Sequence, residues 1–378
     1  MFFDKKNNTE KKKVLICSNY AWTIYNFRKP LINDLIENNY DVELLSQFDG
    51  YQTKINNQIS RVHHLSISRK GVNIFKDLYT FIYIYKKLIT IKPDYILLFT
   101  IKPVIYGSMA AKILNIPSIP MITGLGTSFI SKNWITVIVK KLYKVALKNQ
   151  KTIFFQNCDD KNLFLKENLI QKKQAKLIPG SGIDTHKFEY KKMIKKQKIT
   201  FLLIARMIKD KGIFEFVEAA SLVKENNNNV EFKLLGPTGV QNRTAISEKS
   251  IKKWQDMNII EYLGETDNVM EQISKADCVV LPSYREGTSR VLLEAASIGR
   301  PIITSNVPGC KEIVDDKING LLCEVKNSHD LFKKIEKMIT LSHAERVKMG
   351  LMGRKKVIAE FDSKIVNEIY LKTLDSLS

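Results

Sequence analysis

Short apolar runs rich in β-branched residues recur along the chain, at 14–17, 42–45, 95–99, 119–122 and 153–155. They read as buried strands. Between them, 27–37, 74–89 and 104–114 place apolar residues at helical spacing. Strands that are apolar throughout, alternating with helices, predict a parallel sheet covered on both faces. A second series has strands expected at 199–205, 230–235, 259–263, 278–281, 301–304 and 321–323, and helices at 212–224, 268–275, 289–298 and 328–339. A last helix is expected over 363–377. The segment Pro179-Gly-Ser-Gly-Ile-Asp184 suits a bend, and the lysine-rich stretch after it suits an exposed linker. The reading is therefore an α/β chain with an N-terminal Rossmann-like domain at 1–190, a second at 191–361 and a C-terminal helix at 362–378.

A length of 378 residues agrees with two domains. The net charge is +21, unevenly spread: residues 1–190 hold 29 Lys and Arg against 14 Asp and Glu, and the remainder 31 against 25. Such a field attracts polyanions: nucleic acid, anionic lipid or a phosphorylated substrate. The five cysteines are widely spaced with no C-x-x-C, which predicts reduced thiols in a cytoplasmic protein and no zinc site. The N-terminal residues lack a signal-peptide pattern, and no apolar run approaches the roughly 20 residues of a spanning helix. A soluble or peripheral protein is expected.

Candidate chemistry concentrates in the second series. Glu286 sits in a glycine-containing loop after the strand ending near Leu281, and Glu294 lies within the following helix. Helix-terminal N–H groups hold anions, and carboxylates accept from sugar or ribose hydroxyls. Arg206 and Lys211 follow the first strand of the second domain, just before Gly212 opens a helix. An arginine fork and a lysine point charge there form a diphosphate clamp. Either loop alone is equally a solvated turn; their common sheet edge favours the clamp.

In the first domain, Gly124 and Gly126 follow a strand and permit close backbone approach to a ligand. The G-x-G-x-x-G fingerprint is incomplete, because Phe129 occupies its third glycine position, and this argues against a nicotinamide dehydrogenase. Asn26 and Arg28 open the first helix, and Arg69 and Asn73 lie in a basic loop; these are acceptor-side candidates, or equally helix-start and surface residues. No D-x-D triplet occurs, so protein cations and helix dipoles have to neutralise a diphosphate. Over 132–151, Lys140, Lys141, Lys144, Lys148 and Lys151 share one arc of a helix, with Trp134, Ile135, Ile138, Val139, Leu142, Val145 and Ala146 opposite. Such a helix lies in an anionic membrane interface or packs on the sheet with its lysines in water; both readings stand.

Taken together, these stretches resemble the retaining glycosyltransferases of family 4, which have the GT-B fold. Glu286 to Glu294 matches the E-x7-E element, and Arg206 to Lys211-Gly212 the Arg…Lys-Gly element. Further segments resemble bacterial transferases that extend sugars on undecaprenyl diphosphate for glycan, O-antigen or capsule: Tyr25-Asn-Phe-Arg28, Ile122-Thr-Gly-Leu-Gly126, Phe154-Phe-Gln-Asn157, Tyr262-Leu-Gly-Glu-Thr266 and Leu281-Pro-Ser-Tyr-Arg-Glu-Gly287. The resemblance implies two parallel sheets facing across a cleft, with the last helix crossing back to the first domain. It implies a UDP-sugar co-substrate, with no metal or other cofactor, and a polyprenyl-diphosphate saccharide acceptor. Arg206 and Lys211 would bind the diphosphate. Glu286 would hold the sugar, with Gly287, Thr288, Ser289 and Arg290, and Glu294 the ribose. Where many members carry Gly-Gly after the first strand, this chain has Asn19-Tyr-Ala-Trp-Thr23. The expected activity is retaining, metal-independent transfer at the inner face of the cytoplasmic membrane. The alternatives are a nucleotide-sugar epimerase and a non-catalytic glycan- or lipid-binding subunit; nucleic acid is not expected as a partner.

Overall fold

The structure, a computed structural model, describes residues 11–55, 59–67, 74–125, 134–240 and 242–377. It divides into Met1–Ser181 with Val366–Ser378, and Gly182–Ile365. The first unit is built on seven strands: β1 (Lys13–Tyr20), β2 (Asp41–Gln47), β3 (Arg61–His64), β4 (Tyr95–Phe99), β5 (Ser118–Ile122), β6 (Ile153–Phe155) and β7 (Ala175–Leu177). All pair in parallel, in the order β3-β2-β1-β4-β5-β6-β7. The central strands are buried on both faces, which is why they read as unbroken apolar runs. The helices are α1 (Ala21–Glu37), α2 (Gln52–Ile55), α3 (Ile74–Ile91), α4 (Ser108–Ile113, continuing a π-turn at Pro103–Gly107), α5 (Trp134–Leu147) and α6 (Cys158–Lys166). α3, α4 and α5 bury their inner faces in one core on one side of this sheet.

The second unit has six parallel strands: β8 (Ile199–Ile204), β9 (Val230–Leu235), β10 (Glu261–Tyr262), β11 (Cys278–Leu281), β12 (Ile302–Ser305) and β13 (Gly320–Cys323). Their order is β10-β9-β8-β11-β12-β13. Its helices are α7 (Ile213–Asn226), α8 (Glu248–Asp256), α9 (Val269–Lys275), α10 (Arg290–Ile298), α11 (Ser328–Thr340) and α12 (His343–Glu360). The last helix, α13 (Ser363–Asp375), returns the chain to the first unit. There Val366, Tyr370 and Leu374 join the core that α1 covers. Among the described residues no helix is long and apolar enough to cross a membrane.

α2, α6, β7 and α8 were not expected from the sequence, and three further segments differ from that expectation. α1 begins at Ala21, six residues before the expected start, and runs through Pro30. Proline favours a first turn and removes one helical hydrogen bond. Burial of Ala21, Ile24 and Leu31 against the sheet outweighs that preference. Second, the stretch expected to be an exposed linker is fastened to the second unit. Ile183, Phe188 and Met193 are buried, Ile183 pairs its backbone with Phe361 and Ser363, and the fully buried Arg300 donates to the carbonyls of Lys191 and Ser274, both at 2.7 Å. The division therefore falls at Ser181 and not at residue 190. Third, α12 was not expected. Its buried positions include Arg346, Gly350 and Gly353, too dilute an apolar stripe to register, although Ser342 and Glu345 form a capping box at its start.

Gly350 packs α12 onto the end of α10: a Cβ there would lie 2.1 Å from the Gly299 carbonyl oxygen, a backbone atom. At Gly353 an added methyl meets only ordinary contacts, the nearest at 3.5 Å from Ala296 Cβ. Alanine gains about 1 kcal/mol of helix propensity over glycine, and overpacking costs about 1–3 kcal/mol. In urea unfolding, Gly350→Ala should therefore be destabilised, while Gly353→Ala should match or exceed wild type. Equal stabilities for the two variants would contradict this packing.

Candidate functional site

In the second sheet the chain leaves β8 for β9 and β10 on one side, then returns to place β11, β12 and β13 on the other. The strand order reverses between β8 and β11. Open α/β sheets bind ligands at that point, outside the carboxyl ends of the strands. The loops after β8, β11 and β12 meet there.

Glycines set how closely they approach. Gly212, at φ 73°, ends the turn Lys209–Lys211 and precedes α7; a Cβ would lie 2.1 Å from the Pro282 carbonyl oxygen. Gly309, at φ 80°, leaves a Cβ 2.5–2.6 Å from backbone atoms of Glu286 and Gly287. Hydrogen bonds stitch the same loops together. The Tyr284 N–H donates to the Asp210 carbonyl at 2.9 Å, that of Glu286 to Pro308 at 3.0 Å, and that of Ser289 to Gly309 at 2.8 Å. The Tyr284 hydroxyl donates to Glu215 on α7 at 2.6 Å. Burial and that carboxylate hold the hydroxyl above the usual tyrosine range.

This frame brings Lys211 and Glu286 together. The Lys211 ammonium donates directly to Glu286 Oε1, and both side chains are half-buried. Arg206 lies exposed in the loop after β8 and makes no side-chain hydrogen bond or ion pair among the described residues. The N-terminus of α10 follows Ser289, which is buried, and its first-turn N–H groups lack intrahelical acceptors. A lysine, a carboxylate and a helix start thus lie along the joined loops, and Arg206 is on the loop that carries Lys211. They can hold a diphosphate through the cations and N–H groups, and sugar hydroxyls through Glu286.

Glu294 sits one turn into α10. Arg290 Nε donates to its Oε1 at 3.0 Å, and Arg290 Nη1 donates to the Gly182 carbonyl at 2.8 Å. The Arg290 guanidinium also lies 5.6 Å from the Phe188 ring centroid. Arg290, expected at the donor, thus binds Glu294 and the residues that lead into this unit. Burial pushes the Glu294 carboxyl above the usual range, against the opposing pull of Arg290 and Lys187. The loop after β12, with Gly309 and the Gly309 N–H donating to Glu312 at 2.8 Å, was not singled out from the sequence. Its signal was available in Asn306-Val-Pro-Gly309 directly after a strand. The loop after β9 was also missed: Gly236, at φ 137°, leaves a Cβ only 2.0 Å from the carbonyl oxygen of Ala205, beside Arg206.

The first-unit candidates are placed separately. Gly124 follows β5 with φ 119°, a conformation that favours glycine. Gly126, Arg69 and Asn73 lie outside the described residues. Asn26 turns its amide back to the Trp22 carbonyl at 3.0 Å. Arg28 is buried and not at the surface expected of an acceptor contact; its guanidinium stacks 4.2 Å from the Phe99 ring centroid and donates to Met121 Sδ at 3.0 Å. Covering the sheet brings a cation among aromatic groups there. A shallow cavity of about 320 Å³ opens at the junction of β1 and α1, lined by Tyr20, Trp22, Asp49 and Tyr51.

Comparisons with known proteins agree with this organisation. Residues 184–356 match the model of glycosyl transferases group 1, and residues 13–157 that of glycosyl transferase 4-like proteins. The chain is 30% identical over 375 residues, covering 93% of itself and 96% of its relative, to the N,N'-diacetylbacillosaminyl-diphospho-undecaprenol alpha-1,3-N-acetylgalactosaminyltransferase of Campylobacter jejuni. It is 25% identical, over 76% of itself and 77% of its relative, to the UDP-Gal:alpha-D-GlcNAc-diphosphoundecaprenol alpha-1,3-galactosyltransferase of Escherichia coli. Among solved structures, the sucrose-phosphate synthase of Thermosynechococcus elongatus aligns with a TM-score of 0.81 at 17% identity, over 97% of this chain and 99% of that one. The two-domain GT-B architecture is thereby shared.

The raised Glu294 carboxyl has a consequence for stability. A native state that keeps its proton to higher pH than the unfolded chain loses stability as pH rises. The unfolding free energy of wild type relative to Glu294→Gln should therefore be greatest below the unfolded glutamate range, near pH 4. It should fall as pH rises through the native value, as read by urea unfolding across a pH series. A relative stability that climbs with pH would reverse the assignment.

Proposed function

The chain belongs to the glycosyl transferases of group 1, and from that premise we propose that it moves a hexose or N-acetylhexosamine from a UDP-sugar to a lipid-diphosphate-linked saccharide in surface glycan assembly. The observation that carries the donor side is the Lys211–Glu286 contact at the strand-order reversal, with Arg206 exposed on the loop that carries Lys211. The acceptor class follows from the two relatives, whose names specify undecaprenol-diphosphate-linked saccharides.

In this reading the donor diphosphate lies against Arg206, Lys211 and the first turn of α10. The bond between sugar C1 and the diphosphate oxygen breaks, leaving an oxocarbenium-like sugar and departing UDP. Negative charge grows on the leaving phosphate, where fixed cations and N–H groups stabilise the transition state more than the ground state. Glu286 holds sugar hydroxyls and offsets positive charge on the ring. Glu294, steadied by Arg290, accepts from the ribose. The acceptor oxygen bonds to C1 on the face the phosphate vacates, and its proton passes to that phosphate, so the anomeric configuration is retained. Both relatives named above form alpha linkages, one from UDP-Gal, and this supports retention because galactose is α-linked in its UDP donor. The sequence lacks D-x-D carboxylates to hold a divalent ion, and the neutralisation is assigned to protein cations. The acceptor is a membrane lipid, which makes the enzyme peripheral at the cytoplasmic face.

A synthetic polyprenyl-diphosphate sugar, screened against UDP-sugars, tests this reading. Product should form only with acceptor present, and donor conversion without acceptor would refute transfer. Glu286→Ala should lower kcat about 10²–10³-fold with KM for donor changed far less. Arg206→Ala should lower kcat/KM by a similar factor. Turnover near wild type in either variant would remove that residue from the chemistry.

A further inference from the structure

The helical layer α3–α4–α5 has met its packing requirement and still carries apolar surface. Toward the sheet, α3 buries Thr80, Ile84, Leu88 and Ile91, and α5 buries Val139, Tyr143, Ala146 and Leu147. On the opposite side, α3 exposes Phe75, Leu78, Tyr79, Ile82 and Ile89, and Phe75 is 85% accessible. Their spacing of three, four and seven residues places them in one stripe. α5 likewise exposes Trp134, Val137 and Val145 among the exposed Lys141, Lys144 and Lys148. α5 thus packs one face on the sheet, and apolar residues also remain among the lysines outside. α4, which packs against both neighbours, adds exposed Ile113 beside Lys112.

Charge identifies what this surface fits. The sequences of the three helices contain a single acidic residue, Asp77, and it is buried and bound by Lys102 at 2.7 Å. The outer surface is thus apolar and cationic, with no exposed carboxylate on these helices. Apolar side chains interleaved with lysines suit the headgroup boundary of an anionic bilayer, where the chains enter the acyl region and the ammonium groups meet lipid phosphates. We propose that the outer face of α3–α4–α5 is the surface by which the chain lies on an anionic lipid membrane. The inference rests on the peripheral-membrane reading above and adds which surface makes the contact.

The test is sedimentation of the full chain with vesicles of phosphatidylcholine alone or mixed with phosphatidylglycerol. Leu78→Asp/Ile82→Asp removes the apolar stripe, and Lys141→Glu/Lys144→Glu/Lys148→Glu reverses the charge without altering buried positions. Transfer to a short-chain, water-soluble acceptor and light scattering run in parallel. Wild type should bind the anionic vesicles at least tenfold more tightly than neutral ones. Each variant should lose at least tenfold of that affinity while keeping soluble-acceptor transfer. Variants that bind like wild type would overturn this face and leave the membrane reading intact. Wild type that binds no vesicles would overturn both. A wild-type dimer that the aspartates dissociate would make the surface a contact between copies.

Discussion

Backbone contact between loops is the constraint on which the second unit's site depends. Gly212 and Gly309 each leave no room for a Cβ, one against Pro282 and the other against Glu286 and Gly287. With both glycines in left-handed conformations, three strand ends are drawn close enough for a lysine from one loop to reach a carboxylate from the next. Side chains could not hold this spacing as firmly, because rotamers adjust and carbonyls do not. The Lys211–Glu286 contact therefore rests on closely packed backbone.

The Lys211–Glu286 contact also lets two opposite charges share a half-buried position. Each compensates the other's partial desolvation, since either one alone in a half-buried position would be costly. Glu294 is kept in order differently: its partner Arg290 is anchored to the Gly182 carbonyl, so this carboxylate is oriented from the segment that leads into the unit. That bond adds to the buried Ile183, Phe188 and Met193 in holding the stretch after residue 182 to the second unit.

Much of the fold was legible because a doubly covered parallel strand can hardly be anything but an unbroken apolar run. Strands such as Tyr95–Phe99 and Cys278–Leu281 were read at their observed limits. Glu286 and Lys211 were legible through glycines and strand ends, which report backbone geometry directly. What escaped was tertiary. The burial of Arg28 against Phe99 and the fastening of Phe188 and Met193 by contacts with distant residues leave no local pattern. Nor does the dilute stripe of α12, where Gly350 and Gly353 serve close approach. The exposed apolar stripe of α3 was hidden for the opposite reason: apolar residues on two sides of one helix blur into a single apolar segment.

The return of α13 to the first unit bears on how the chain folds as it is synthesised. Tyr370 donates to Met121 Sδ and packs edge-on to Phe154, at a ring-centroid distance of 4.9 Å, so a helix made last fills a core begun with the first strand. While the ribosome adds residues 182–365, one side of the first sheet stands without this cover. The second unit, continuous in sequence, meets no such delay. Completion of the amino-terminal half thus waits on the carboxyl-terminal residues, and a chain released early would expose a sticky sheet face to chaperones and proteases.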